Sequence, residues 1–271
     1  MLKTPEDRSF LVELSDNVLR LSFNRPEFGN AVPSHNVPLL AAVFRAAQAD
    51  PSVRSIVIRG EGKMFSAGGD VAGFKRSIAQ SKAERAEDFA RRMHIVSELV
   101  KAVHAFDGGI VAAVRGAAAG AGLFYPLVAD YAVGDASAVF VFAHNRIALT
   151  PDGGITTVLP QVVGTRMART LLLTSAKIDA QEAHRLGMLN EIVPAEELDE
   201  VAMAMARRFA KAPQRALKAT KRMVNATPAR TLDEMLEAET AGILGCVVDD
   251  DFDEGVSAFL EKRKALFPSA C

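Results

Sequence analysis

The sequence predicts an α/β fold with a helical C-terminal segment, and three features predict it. Short apolar strands alternate with helical stretches through the first half of the 271 residues. Helical periodicity prevails from Ile155 onward. No fixed-period repeat or low-complexity linker interrupts the chain. A chain of this length buries a sizeable core, as one large domain or as one domain with an appendage.

In order, Phe10 to Ser15 and Val18 to Phe23 read as a hairpin across Asp16-Asn17. Pro33 to Ala49 carries Leu39, Leu40, Val43, Ala46 and Ala47 at helical spacing and stops at Asp50-Pro51. Ser55 to Arg59 is a compact apolar strand closed by Gly60-Glu61-Gly62. A glycine-bearing loop, Phe65 to Gly73, leads into a long helix from about Lys82 to Phe106. The apolar stripe of that helix (Phe89, Met93, Val96, Val100, Val103) reads as core packing rather than a cofactor box. Ile110 to Val114 is a second buried strand, running into Gly116 to Gly122 and an apolar helix that ends near Asp130. Tyr131 to Gly134, Ala138 to Phe142 and Leu189 to Val193 are further strand candidates. The late helices, Ala195 to Phe267, bear stripes such as Met203, Ala206, Phe209 and Val256, Phe259, Leu260. These need an apolar surface in the same chain or another.

Composition narrows the function classes. Hydrophobic residues make up 49% and charged residues 24%, with 32 basic against 33 acidic side chains. That balance carries no nucleic-acid or membrane signature, Lys262-Arg263-Lys264 being a local basic cluster. Two cysteines, Cys246 and Cys271, speak against a disulfide framework or a cysteine zinc site. The charged N-terminus has no following apolar region, and no stretch approaches ~20 apolar residues. A cytoplasmic location is the expectation.

Two strand-to-loop junctions are where chemistry is expected. One is Lys63 to Asp70, after the first apolar strand; the other is Gly116 to Gly122, after the second. Small residues let backbone approach a ligand, and a following helix start presents unpaired N–H groups. Two such groups converging on one oxygen form an oxyanion hole. The plainer reading is that these glycines only permit tight turns and close packing. A dinucleotide fingerprint is weaker still, since Tyr125 stands where its third glycine would fall.

Asn24-Arg25-Pro26-Glu27-x-x-Asn30-Ala31, Phe65 to Asp70, Arg115 to Gly122, Pro151-Asp152-Gly153-Gly154 with Leu159-Pro160 and Gly164, Ala180 to Val193, and Glu254 to Arg263 run in order along the chain. Together they resemble the enoyl-CoA hydratase/isomerase (crotonase) family over almost its whole length. The resemblance implies a crotonase-type spiral of ββα turns over residues 1–194 and a helical segment over 195–271 that serves a trimer or a dimer of trimers. It also implies an acyl-CoA thioester substrate, with coenzyme A part of that substrate and no separate cofactor or metal. The thioester carbonyl is expected between the backbone N–H groups of Ser66 and Ala121. Arg25, Ala67 and Gly68 are expected beside the CoA moiety. Phe259 and Lys262 on the last helix resemble residues that reach CoA, sometimes from a neighbouring subunit, although a solvated helix face is the plain alternative.

The sequence departs from the family pattern at its chemistry. Hydratases of this family use two glutamates, and by register these positions hold Phe124 and His144. Phe124 is expected to wall the acyl pocket or to be plain core. Asp152 is the candidate base, because one carboxylate beside an oxyanion hole suffices for a 1,3-proton shift. Pro-Asp-Gly-Gly is equally good turn chemistry. His144 reads either as an acid/base or as a pocket-lining residue. Ser97 in the register slot of the histidine that halide displacement needs argues against that reaction, with His94 one turn away. The expected activity is therefore isomerase-like enolate chemistry. The alternatives are an acyl-CoA-binding protein without chemistry, or an atypical hydratase using His144 and Asp152 together.

Overall fold

The computed structural model describes residues 2–69 and 71–270, with residues 71–73 described in backbone only. The chain opens with β1 (Phe10–Ser15) and β2 (Val18–Phe23), paired antiparallel. Asp16 and Asn17 both take left-handed backbone (φ 53° and 61°), the geometry that a two-residue hairpin needs to match strand twist. Helix α1 (Val37–Ala49) follows a short 3-10 turn, so the helix expected from Pro33 starts later. Then come β3 (Ser55–Gly60), α2 (Val71–Ile78) and α3 (Lys82–His104). Ser81 and Glu84 cap α3 reciprocally, each side chain bonding the other's backbone N–H.

Next are β4 (Gly109–Val114), β5 (Ala117–Ala119), α4 (Phe124–Val128), β6 (Tyr131–Asp135) and β7 (Val139–Val141). Helices α5 (Ile155–Val163) and α6 (Thr165–Leu173) lead to β8 (Lys177–Asp179), α7 (Ala180–Arg185) and β9 (Glu191–Val193). The chain ends in α8 (Leu198–Ala210), α9 (Gln214–Ala226), α10 (Leu232–Cys246) and α11 (Asp250–Leu260).

The strands form two sheets that the chain visits alternately. The large sheet runs β1-β2-β3-β4-β6-β9, parallel from β2 onward; the small one runs β5-β7-β8. After β3 the chain donates Ser66 to an isolated parallel bridge with Ala118 of β5. Each turn of the spiral thus places one strand in the large sheet, one extended piece in the small sheet, and then a helix.

Both faces of the large sheet are covered, which is why its strands read as continuous apolar runs. Leu19, Leu21, Ile56, Ile58, Ile110 and Ala112 point into the main core with Phe44, Val103 and Phe106. Val18, Val57, Val111, Ala113 and Val133 point the other way, onto Leu198, Ala202, Ala206 and Ala210 of α8. The helical segment after residue 194 therefore begins by covering the chain's own sheet. By contrast α10 buries no residue, and its Leu232, Ile243 and Leu244 are exposed.

Asn30 ties the N-terminal loop to the site loop. It is buried, with left-handed backbone (φ 58°). Its Oδ1 accepts from the Arg25 N–H (2.9 Å), and its Nδ2 donates to the carbonyls of Glu61 (2.9 Å) and Met64 (2.5 Å). Asn30→Ala strands one buried donor and two carbonyls, and also loses the residue type that tolerates this backbone. It should destabilise the protein by about 2–4 kcal/mol in equilibrium denaturation.

Candidate active site

The Ser66–Ala118 bridge fixes which backbone amides are free. The Ser66 N–H donates to the Ala117 carbonyl (3.1 Å), and the Ala119 N–H donates to the Ser66 carbonyl (2.8 Å). The Ser66 amide, expected from the sequence to hold the thioester oxygen, is thus already committed to the small sheet. The Ala67 N–H donates to the Gly29 carbonyl (2.7 Å), and the Gly68 N–H donates to the Ser66 hydroxyl (3.1 Å). Gly69 is the next residue. Its N–H has no partner among the described residues, and it lines the main cavity together with Ala121. The motif's last residue, Asp70, lies outside the described residues.

The second loop meets the first backbone to backbone. A Cβ on Gly68 would lie 2.6 Å from the Gly122 nitrogen and 2.7 Å from that of Ala121, and Gly68 has φ +81°. A Cβ on Gly122 would lie 2.5 Å from the Ser66 carbonyl oxygen. Ala121 stands in a 3-10 turn over Gly120–Leu123 and has negative φ, which alanine adopts freely. The Ala121 N–H precedes the turn's first internal hydrogen bond and has no partner among the described residues.

Asp152 serves both the turn and the pocket. Gly153 and Gly154 follow it in left-handed backbone (φ 63° and 78°), and its carbonyl accepts from the Ile155 N–H (3.3 Å) as α5 begins. The two glycines are what that tight entry requires. The residue nevertheless lines the cavity, and its carboxylate Oδ1 lies 3.2 Å from Nε2 of His144. His144 is buried behind it, in a 3-10 turn over His144–Ile147, and is not among the cavity-lining residues. Its Nδ1 is buried without a partner. A neutral imidazole with the proton on Nε2 fits this arrangement: it donates to Asp152 and leaves the bare Nδ1 lone pair inward.

The remaining wall is largely apolar. Phe124 is 3% exposed and lines the cavity in the slot expected for a glutamate. Tyr125 stands beside it, its ring 4.9 Å from that of Phe23, and burial pushes its phenol well above the ordinary range. Met93, Val96, Leu99 and Val100 of α3 complete the wall. The α3 stripe expected to be plain core is therefore divided: Val103 is fully buried, whereas Met93, Val96 and Val100 are half-buried and face the cavity.

The expected CoA-side residues lie at different distances from this centre. Ala67 and Gly68 sit in the first loop, and Gly68 lines the cavity. Arg25 is held by Asn30, with its guanidinium 4.3 Å over the exposed Phe28 ring and donating to the Ala31 carbonyl (3.3 Å). It is outside the cavity lining. Phe259 is 83% exposed, and Lys262 follows α11 with φ 56°. Neither lines this chain's cavity. Among the described residues, no three His, Cys, Asp or Glu side chains are grouped to hold a metal ion, and no helix is long and apolar enough to cross a membrane. Sequence reading missed Gly69, Tyr125 and the cavity's arginines, Arg76 and Arg92.

Two amide-bearing loops clamped together, with Asp152 and a largely apolar wall around the same cavity, suit an enzyme class that handles thioesters. Residues 13–270 match the family model described as enoyl-CoA hydratase/isomerase, and the chain belongs to that family. It is 32% identical to the crotonyl-CoA hydratase of Syntrophomonas wolfei over 262 residues, covering 96% of this chain and 98% of that one. It is likewise 32% identical to the 1,2-epoxyphenylacetyl-CoA isomerase of Escherichia coli over 258 residues, 95% of this chain and 97% of that one. The crystal structure of an enoyl-CoA hydratase from Polaromonas superposes with a TM-score of 0.87 at 29% identity, covering 94% of this chain and 98% of that one. The protein is accordingly an acyl-CoA enzyme with the crotonase fold.

The clamp makes opposite demands on adjacent glycines. Gly68→Ala puts a Cβ into two backbone nitrogens at positive φ and should cost about 3 kcal/mol or more. A Cβ on Gly69 meets nothing within 4 Å, so Gly69→Ala should melt within ~1 kcal/mol of the parent. Paired thermal melts check the contrast.

Proposed function

We propose that the protein moves a double bond along an acyl-CoA by a 1,3-proton shift, with Asp152 as the single base. The observation that carries this reading is Asp152, the one carboxylate residue lining the cavity among the described residues, backed by His144 at 3.2 Å, with Phe124 in place of a second carboxylate. The N–H groups of Gly69 and Ala121 hold the thioester oxygen. Asp152 takes a proton from carbon 2 or carbon 4, and the electron pair moves onto that oxygen as a dienolate. The same carboxyl then returns the proton at the other carbon, so substrate and product have equal composition. Each amide donor aimed at the developing oxyanion is worth about 3 kcal/mol of barrier. Holding base and carbon together supplies much of the rest.

His144 is a positioning residue in this scheme. Its Nε2–H donates to the carboxylate, fixing which oxygen faces the substrate. Hydration is the second reading, in which the same pair activates water. The apolar Phe124 ring disfavours it, because it cannot hold that water or return a proton to carbon.

We further infer that the chain assembles as a trimer or a dimer of trimers. Exposed Leu232, Ile243, Leu244, Val248 and Phe259 would then be covered between subunits, and Phe259 and Lys262 would approach a neighbour's CoA. Light scattering should give a mass that is a multiple of three chains; a monomer at micromolar concentration contradicts this.

A 3-enoyl-CoA incubated with the enzyme in deuterium oxide should give the 2-enoyl isomer, labelled to the extent that the Asp152 carboxyl exchanges its proton with solvent before returning it, with no mass gain from added water. Asp152→Asn should lower the rate about 10²- to 10⁴-fold while thioester binding persists. His144→Ala should lower kcat roughly tenfold with KM little changed. Hydrated product from the parent enzyme would favour the second reading, and an unchanged thioester would mark a protein that binds without chemistry.

A further inference from the structure

The far end of the acyl cavity is cationic, which an enzyme for methyl-terminated chains does not need. We propose that the preferred substrate is an acyl-CoA whose distal end carries a carboxylate, received by Arg92. The proposal rests on the acyl-CoA reading above and adds the identity of the acyl group.

Helix α3 sets the depth scale. Its Val100 Cγ1 would lie 3.1 Å from a Cβ on Gly154, two residues after Asp152, so this part of the helix stands beside the carboxylate. Leu99, Val96 and Met93 continue the wall toward the helix N-terminus, and Arg92 follows. Eight residues separate Val100 from Arg92, about 12 Å along the axis. The Arg92 side chain reaches further in the same direction, toward Asp88 and Phe89, as helical side chains do. An extended medium-length chain anchored at the two amides therefore runs along aliphatic side chains and ends at a guanidinium.

The surroundings of that guanidinium are suited to an anion. Arg92 is only 25% exposed, and its carbon Cζ stands 5.5 Å from the Phe89 ring and 6.0 Å from the Phe74 ring. Its Nη2 is 2.6 Å from Asp88, which also meets Arg91 at 3.6 Å. Arg76 lines the same cavity and has no acidic partner among the described residues. Asp88 is thus one carboxylate shared by two guanidinium groups, while Arg76 adds a third positive charge to the cavity lining. A methyl terminus pressed here strips water from Arg92 and returns nothing. A carboxylate gains charge-assisted hydrogen bonds from the donors that Asp88 leaves free.

The test compares two C8 3-enoyl-CoA thioesters, one ending in methyl and one in carboxylate, by kcat/KM on the parent enzyme and by Kd on Asp152→Asn. The carboxylate-ended compound should be favoured at least tenfold in both. Arg92→Leu should erase that ratio, Arg92→Lys should keep part of it, and Asp88→Asn should raise it. Asp88→Asn also keeps the test open if Arg92→Leu fails to fold. Equal or better handling of the methyl-ended compound overturns the proposal while leaving the proton-shift reading intact. So does an Arg92→Leu loss shared equally by both thioesters and by free CoA, which would make Arg92 a phosphate ligand. Tighter binding of the carboxylate-ended compound without any turnover would uphold this proposal and sink the reaction instead.

Discussion

The site depends on two peptide hydrogen bonds between segments some fifty residues apart. Ser66 pairs on both sides with Ala117 and Ala119, and this bridge holds the end of one spiral turn against the start of the next. Everything at the carbonyl-binding position follows from it. With Ser66 fixed, Ala67 and Gly68 use their own amides on Gly29 and the Ser66 hydroxyl. The close approach of Gly68 to Ala121 and Gly122 leaves no room for a side chain between the loops. Two donors placed by sheet pairing rather than by flexible side chains need little reorganisation when charge develops, and that is the condition under which such donors accelerate a reaction.

Much of the fold was legible in the sequence because local chemistry and periodicity agreed. The hairpin, the two apolar strands and α3 stand within a residue or two of expectation, and the family resemblance supplied the spiral. The site was legible only to the level of its loops. The Ser66 amide is already taken because a free N–H is a property of pairing, and the partner of Ser66 lies in β5, a strand of three alanines with no strand signal of its own. The Gly69 amide is left free only because Gly29, Ala117 and the Ser66 hydroxyl take the amides before it, and those partners are set by tertiary structure. The α3 stripe shows the same limit: periodicity marks one apolar face but does not say that its lower part is core and its upper part a cavity wall. Phe259, near the end of α11, and Lys262, just past it, lie outside this chain's cavity lining, which helical periodicity does not reveal.

The carboxylate chemistry has been rearranged around an unchanged carbonyl cradle. Phe124 and His144 occupy the two positions at which the family resemblance leads one to expect glutamates, and in the mechanism proposed above Asp152 takes the acid–base role instead. Because Asp152 is part of the turn that starts α5, its backbone is held by Gly153 and Gly154, while its side chain is aimed by His144. Among the described residues the cavity carries charge at Asp152, Arg76 and Arg92, and the rest of its wall is largely apolar.

The cradle can be interrogated without any turnover. A saturated acyl-CoA enriched with carbon-13 at the thioester carbonyl, bound to the protein in excess, reports on polarisation of that bond through its resonance. Two amide donors at Gly69 and Ala121 should move the signal clearly downfield of the free thioester. A bound thioester whose carbonyl resonates where it does in water would mean that no donors address it, and the account of this site would fail.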